Sequence, residues 1–128
     1  MKKILLYSFL FLAVVSCKKE ESSKVSSSTV TLIQPEVLAK LMTEKNIQLV
    51  DVRTPEEYKR GAIEGAVLIN FRDANFLELM KSKLNTEKPV YLYCASGGRS
   101  GKASSLLLEN GFQNVYDLEG GYSAWSKK

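Results

Sequence analysis

Cys94 is the residue of this sequence whose type and setting best suit covalent chemistry. It follows the apolar run Pro89–Tyr93 and precedes a short loop that leads into a helical stretch. A thiolate is the nucleophilic form of cysteine, and the free thiol pKa of about 8.5 must fall for reaction at neutral pH. The start of a helix supplies unpaired N–H groups and partial positive charge. The pattern therefore predicts an activated nucleophile at Cys94.

The residues after this cysteine are the ones we expect to bind a substrate. Small side chains let the backbone curl so that successive N–H groups converge on one anionic atom. We expect both glycines of the loop to adopt positive φ. Arg99 adds a permanent charge suited either to an anionic substrate or to bracing an acidic side chain. The predicted substrate-binding residues are Ala95, Ser96, Gly97, Gly98, Arg99 and Ser100.

Other interpretations of the same loop stay open. Cys94 could be an inert thiol at the end of a core strand, or a carrier or redox-sensing residue without fast turnover. A phosphatase or arsenate reductase also places a cysteine and an arginine around a backbone ring. Four residues separate Cys94 from Arg99, one fewer than in the cysteine-based phosphatase signature, and the shorter ring favours a single sulfur atom over a tetrahedral oxyanion.

Composition excludes several classes of function. The 128 residues include two Cys and no His, which rules out a Cys–His dyad and His-ligated zinc, and we expect neither metal nor cofactor. The formal charge is +4, but residues 29–128 hold 13 basic and 12 acidic side chains. The excess lies mostly in the first 28 residues, so we expect no nucleic-acid partner.

The segments that would position the loop alternate between short apolar runs and amphipathic stretches. This alternation predicts βαβ units in an α/β fold, with a mainly parallel sheet between two layers of helices. The predicted strands are 30–33, 49–52, 66–69, 89–93 and 115–116. The predicted helices begin at Pro35, at the Thr54 capping box, near Asp73, near Ser100 and at Tyr122.

Ligands of such sheets bind beyond the carboxyl ends of the strands, where the second predicted strand places Asp51 and Arg53. We interpret these two as supporting residues that form an ion pair or a hydrogen-bonded turn. Glu57 is assigned only to the capping box with Thr54. The aromatic side chains near the end, Tyr122 among them, are expected to pack in the core or to line the pocket mouth.

Three ordered segments resemble the rhodanese family in its single-domain form: residues 49–66, 94–100 and 118–125. The resemblance implies a three-layer α/β/α fold with a five-stranded parallel sheet. It also implies a sulfurtransferase in which Cys94 forms a persulfide. The sulfur would come from a donor anion such as thiosulfate and pass to an acceptor such as cyanide or a thiol. The family often has His where this chain has Ala62.

The first 28 residues resemble the leader of a bacterial lipoprotein. Lys2 and Lys3 precede the apolar run 4–15, which at 12 residues is too short to span a bilayer. The ending Val14-Val15-Ser16-Cys17 resembles a lipobox. We therefore predict a signal peptide over 1–16, lipidation of Cys17, a flexible tether over 17–28 and a domain over 29–128. The protein would be exported and lipid-anchored to a membrane, its domain facing the periplasm or cell exterior. An ordinary signal peptide is the alternative.

Overall fold

The computed structural model describes residues 29–128. The signal peptide, the lipidation of Cys17 and the tether lie outside the described residues and stay predictions. Within 29–128, every helix is too short or too polar to cross a bilayer.

Five strands form one parallel sheet in the order β1-β5-β4-β2-β3. All four residues of β4 are buried. The continuous apolar run of this segment predicts such burial, because it is typical of a parallel strand that is covered on both faces. The five-stranded parallel sheet is confirmed. The strands are β1 (Thr31–Ile33), β2 (Gln48–Asp51), β3 (Val67–Leu68), β4 (Val90–Tyr93) and β5 (Val115–Leu118).

Helices cover both faces of the sheet and complete the three layers. The helices are α1 (Pro35–Glu44), α2 (Pro55–Arg60), α3 (Phe76–Lys83), α4 (Gly98–Glu109) and α5 (Gly121–Trp125). One core cluster joins the sheet to α3 and α4 through residues such as Met80 and Leu107. The other joins it to α1 and α5 through Leu38 and Trp125.

Local sequence signals predict the start of α2 correctly and the start of α3 incorrectly. The capping box of α2 forms as expected, because the Thr54 hydroxyl accepts the N–H of Glu57 at 3.3 Å and the Glu57 carboxylate accepts the N–H of Thr54 at 3.0 Å. The predicted cap of α3 at Asp73 is wrong. That helix begins at Phe76, and it is the backbone carbonyl of Asp73, in a turn, that accepts the Phe76 N–H at 3.1 Å.

Candidate active site

The carboxyl ends of the parallel strands bring the predicted site together. Cys94 directly follows β4, and Asp51 ends the neighbouring strand β2. The start of α4 lies four residues after Cys94. The side chains singled out in the sequence therefore share one edge of the sheet, as the topology of parallel strands requires.

The Cys94 side chain lies inside a ring of hydrogen-bond donors. The residue is 1% exposed. The N–H of Gly97 donates to Cys94 Sγ at 3.0 Å, and the hydroxyl of Ser100 donates to it at 3.4 Å. Hydrogen bonds donated to a sulfur stabilise its anionic form relative to the neutral thiol.

Two opposed effects set the acidity of this thiol. Burial raises the pKa of Cys94, because it disfavours the charged form. Hydrogen bonds from the Ser100 side chain and from the N–H groups of Ser100, Gly97 and Ser96 lower it, and together they prevail, so the pKa of Cys94 lies below its ordinary value. The lowered pKa is what a nucleophilic cysteine needs at neutral pH.

The loop is shorter than the sequence predicts, because α4 begins at Gly98 and not near Ser100. Gly97 has φ 119° at the N-cap, a left-handed conformation that turns the chain into the helix at once. Gly98 is not among the glycines with positive φ, so that prediction is wrong. Gly98, Arg99 and Ser100 form the first turn of α4.

Arg99 braces an acidic side chain, the second of the two predicted alternatives. Its two terminal nitrogens donate to the Glu57 carboxylate at 2.7 and 2.8 Å. The Arg99 hydrogen bond is the main reason that the pKa of Glu57 lies far below its ordinary value. The assignment of Glu57 to the capping box alone is wrong, since the same carboxylate caps α2 and neutralises Arg99. Contact between Arg99 and a substrate stays a prediction.

Asp51 and Arg53 form the ion pair that the sequence suggested, and both are buried. The Arg53 guanidinium donates to the carboxylate at 2.7 to 3.1 Å and to the carbonyl of Gly61 at 2.7 Å. The guanidinium carbon Cζ lies 4.4 Å from the ring centre of Tyr122. The pair joins β2, the end of α2 and α5 beneath the site, and Tyr122 packs there with the core.

Gly121 is a site residue that the sequence analysis missed. The N–H of Tyr122 donates to the carbonyl of Cys94 at 2.8 Å, and the N–H of Ser123 donates to that of Ala95 at 3.0 Å. A Cβ on Gly121 would lie 2.6 Å from the Cys94 carbonyl oxygen. The signals in the sequence were the glycine pair directly before the last helical turn and its place in the segment 118–125, which resembles the rhodanese family.

The described residues offer a nucleophile and no metal site. In the range 29–128, no three His, Cys, Asp or Glu side chains are grouped closely enough to hold a metal ion. The donors converge on one sulfur atom, so the arrangement can stabilise a thiolate or an anionic sulfur bonded to it.

Comparison with known proteins identifies relatives of this chain. A family model described as Rhodanese-like domain matches residues 34–128. Thiosulfate sulfurtransferase 16, chloroplastic, of Arabidopsis thaliana is 38% identical over 117 residues, which cover 84% of this chain and 92% of that protein. Uncharacterized protein YqhL of Bacillus subtilis (strain 168) is 42% identical over 84 residues, 66% of this chain and 64% of that protein.

A solved structure shares both the fold and part of the sequence. The crystal structure of a rhodanese-like domain protein from Staphylococcus aureus matches with a TM-score of 0.68 and 35% identity, covering 75% of this chain and 91% of that one. Together with the match of the family model over most of the chain, this likeness shows that the chain belongs to the rhodanese-like domain family.

Proposed function

We propose that this chain is a sulfurtransferase that carries a sulfane sulfur on Cys94. The observation that carries the proposal is the ring of donors around Cys94 Sγ, with the Gly97 N–H at 3.0 Å and the Ser100 hydroxyl at 3.4 Å. Relatives named as thiosulfate sulfurtransferases support the reaction class. Thiosulfate is the proposed donor, and cyanide or a thiol is the proposed acceptor.

The reaction consists of two displacements at sulfur. The Cys94 thiolate attacks the outer sulfur of thiosulfate, a new S–S bond forms, and the electron pair of the old S–S bond leaves with sulfite. Cyanide then attacks the outer sulfur of the persulfide, and the electron pair of the Cys94 S–S bond returns to the thiolate as thiocyanate leaves. Charge balances in both steps without proton transfer, so a general base is not needed when the thiol is already ionised.

The contacts of Arg99 favour sulfur transfer over phosphoryl transfer. Phosphoryl transfer depends on cationic groups that neutralise the charge on three oxygens. Here the Arg99 guanidinium is occupied by both oxygens of Glu57. A carrier without fast turnover remains the alternative, because it would use the same thiol; transfer to cyanide or to thiols over repeated cycles separates the two.

The test is sulfur transfer from thiosulfate to cyanide by the purified chain. Cys94→Ser keeps the size of the side chain but removes the nucleophile, so we expect thiocyanate formation to fall to background with an unchanged melting temperature. Full activity in this variant would disprove the mechanism. Rapid hydrolysis of a phosphate ester without sulfur transfer would instead favour the phosphatase interpretation.

We also propose that the protein is exported and anchored through a lipid on Cys17. The support is the leader sequence alone, namely its positive start, its short apolar run and the position of Cys17. In bacterial cells, Cys17→Ala should leave a precursor that is not lipid-labelled. Unchanged incorporation of a labelled fatty acid into this variant would refute the anchor.

A further inference from the structure

The start of α5 contacts the backbone of residues 94–97, here called the catalytic loop, at Cys94 and Ala95. Two N–H groups of α5, those of Tyr122 and Ser123, donate to the carbonyls of Cys94 and Ala95 at 2.8 and 3.0 Å. These carbonyls belong to the first two peptide groups after the nucleophile. The start of α5 therefore fixes the orientation of both peptide planes, although neither Tyr122 nor Ser123 is among the hydrogen-bond donors to the sulfur.

The rigid geometry of the peptide group links this contact to the N–H groups around the sulfur. In a trans peptide group the carbonyl and the next N–H point in opposite directions within one rigid plane. The Ser123 N–H holds the carbonyl of Ala95, so it also sets the direction of the Ser96 N–H. That N–H is one of the groups that lower the pKa of Cys94. The hydrogen bond from the Ser123 N–H to the Ala95 carbonyl therefore orients the Ser96 N–H toward Cys94 Sγ.

Gly121 permits this approach because it lacks a side chain. A Cβ there would lie 2.6 Å from the carbonyl oxygen of Cys94 and 2.7 Å from both the carbonyl carbon and oxygen of Ala95. All three are backbone atoms, which cannot rotate away as a flexible side chain could. Gly121 also has φ 59°, so two independent constraints favour glycine.

We propose that Gly121 is a positioning residue for the nucleophile: it lets α5 orient the peptide planes after Cys94 so that the Ser96 N–H faces the sulfur. The inference concerns the state of the thiol and holds for any chemistry that this thiol performs. It is therefore independent of the identity of the sulfur donor and acceptor.

The experiment compares Gly121→Ala with Gly65→Ala in the full chain. Gly65 has φ 80°, and a Cβ added to it would meet no atom of the described residues within 4 Å. Both variants introduce alanine at positive φ, but only the first displaces the catalytic loop. The readout is the rate of alkylation by iodoacetamide as a function of pH, followed by mass spectrometry of the peptide that contains Cys94, so that Cys17 does not contribute.

We expect the midpoint of the pH profile to rise by about one unit in Gly121→Ala, which makes alkylation about tenfold slower below the midpoint, as the loss of one hydrogen bond to a charged group implies. Gly65→Ala should keep the midpoint of the unsubstituted chain. A folded Gly121→Ala with an unchanged midpoint, or an equal shift in both variants, would overturn the proposal.

A second pair of variants covers the case in which Gly121→Ala does not fold. Ser123→Pro removes the N–H that holds the Ala95 carbonyl, and this N–H, at the third residue of α5, bonds to the loop and not within the helix. Ser123→Ala keeps that N–H and serves as the control. The midpoint should rise in Ser123→Pro alone, and equal midpoints in the two variants would refute the positioning role.

Discussion

Removal of the Ser100 hydroxyl should make the nucleophile measurably less acidic. This hydroxyl lies 3.4 Å from Cys94 Sγ, and the side chain is fully buried at the start of α4. The same hydroxyl is 3.3 Å from the carbonyl of Gly97. Because it has one proton, the two acceptors compete for it, and a negative sulfur is the stronger competitor.

The geometry sets the size of the expected effect. A hydrogen bond to a charged group contributes roughly 1.5–3 kcal/mol. The length of 3.4 Å and the competing carbonyl place this one at the lower end, at about 1.5 kcal/mol, which corresponds to about one pKa unit. Since the bond stabilises the thiolate and not the thiol, Ser100→Ala should raise the pKa of Cys94 by about one unit.

Ser104→Ala provides a matched control on the same helix. Ser104 is one turn further along α4 and is equally buried, and its hydroxyl has no hydrogen-bond partner within the described part of the chain. The assay is the pH dependence of iodoacetamide alkylation at Cys94. Ser100→Ala should shift the midpoint upward, whereas Ser104→Ala should not. Coincident profiles for the two variants would refute the idea that hydroxyl donation sustains the thiolate.

Four further variants test other residues of the domain. Glu57→Gln should raise kcat/KM for thiosulfate, a dianion, about threefold relative to the monoanion methanethiosulfonate, because Arg99 gains an uncompensated charge. Gly97→Ala should slow alkylation of the nucleophile and lower the free energy of unfolding by about 1–2 kcal/mol through strain at φ 119°. Gly98→Ala is the control and should have neither effect, because a Cβ on Gly98 would meet nothing of the described residues within 4 Å. Burial raises the pKa of Asp117. The native state therefore retains that proton to higher pH than the unfolded chain, and stability falls as pH rises above about 4. Asp117→Asn should accordingly raise the melting temperature at pH 7, and this gain should disappear below pH 4.

The sequence predicts most of the fold because the signals that determine it are local. The buried strand β4 (Val90–Tyr93) follows from one uninterrupted apolar run, and the start of α2 follows from the capping box of Thr54 and Glu57. Cys94 is identifiable because a nucleophile, a tight loop and a helix start are adjacent in the chain. Contacts within a few residues are thus readable from the order of residue types.

The contacts that tune the site are not local, and for this reason the sequence does not reveal them. Arg99 meets Glu57 across 42 positions of the chain, and Gly121 meets the loop only because β5 lies beside β4 in the sheet. The prediction that Gly98 adopts positive φ is wrong for a related reason. One left-handed residue, Gly97, suffices to start α4, and residue types alone do not show which of two glycines takes that conformation.

The most direct test of the account is the mass of the protein after exposure to a sulfur donor. The chain is incubated with thiosulfate, separated from it and measured intact, before and after treatment with a thiol reductant. We predict a gain of one sulfur atom, located on the Cys94 peptide, lost on reduction or on addition of cyanide, and absent in Cys94→Ser. A sulfur-free Cys94 under these conditions, or the same gain in Cys94→Ser, would contradict the central claim that this cysteine carries the transferred sulfur.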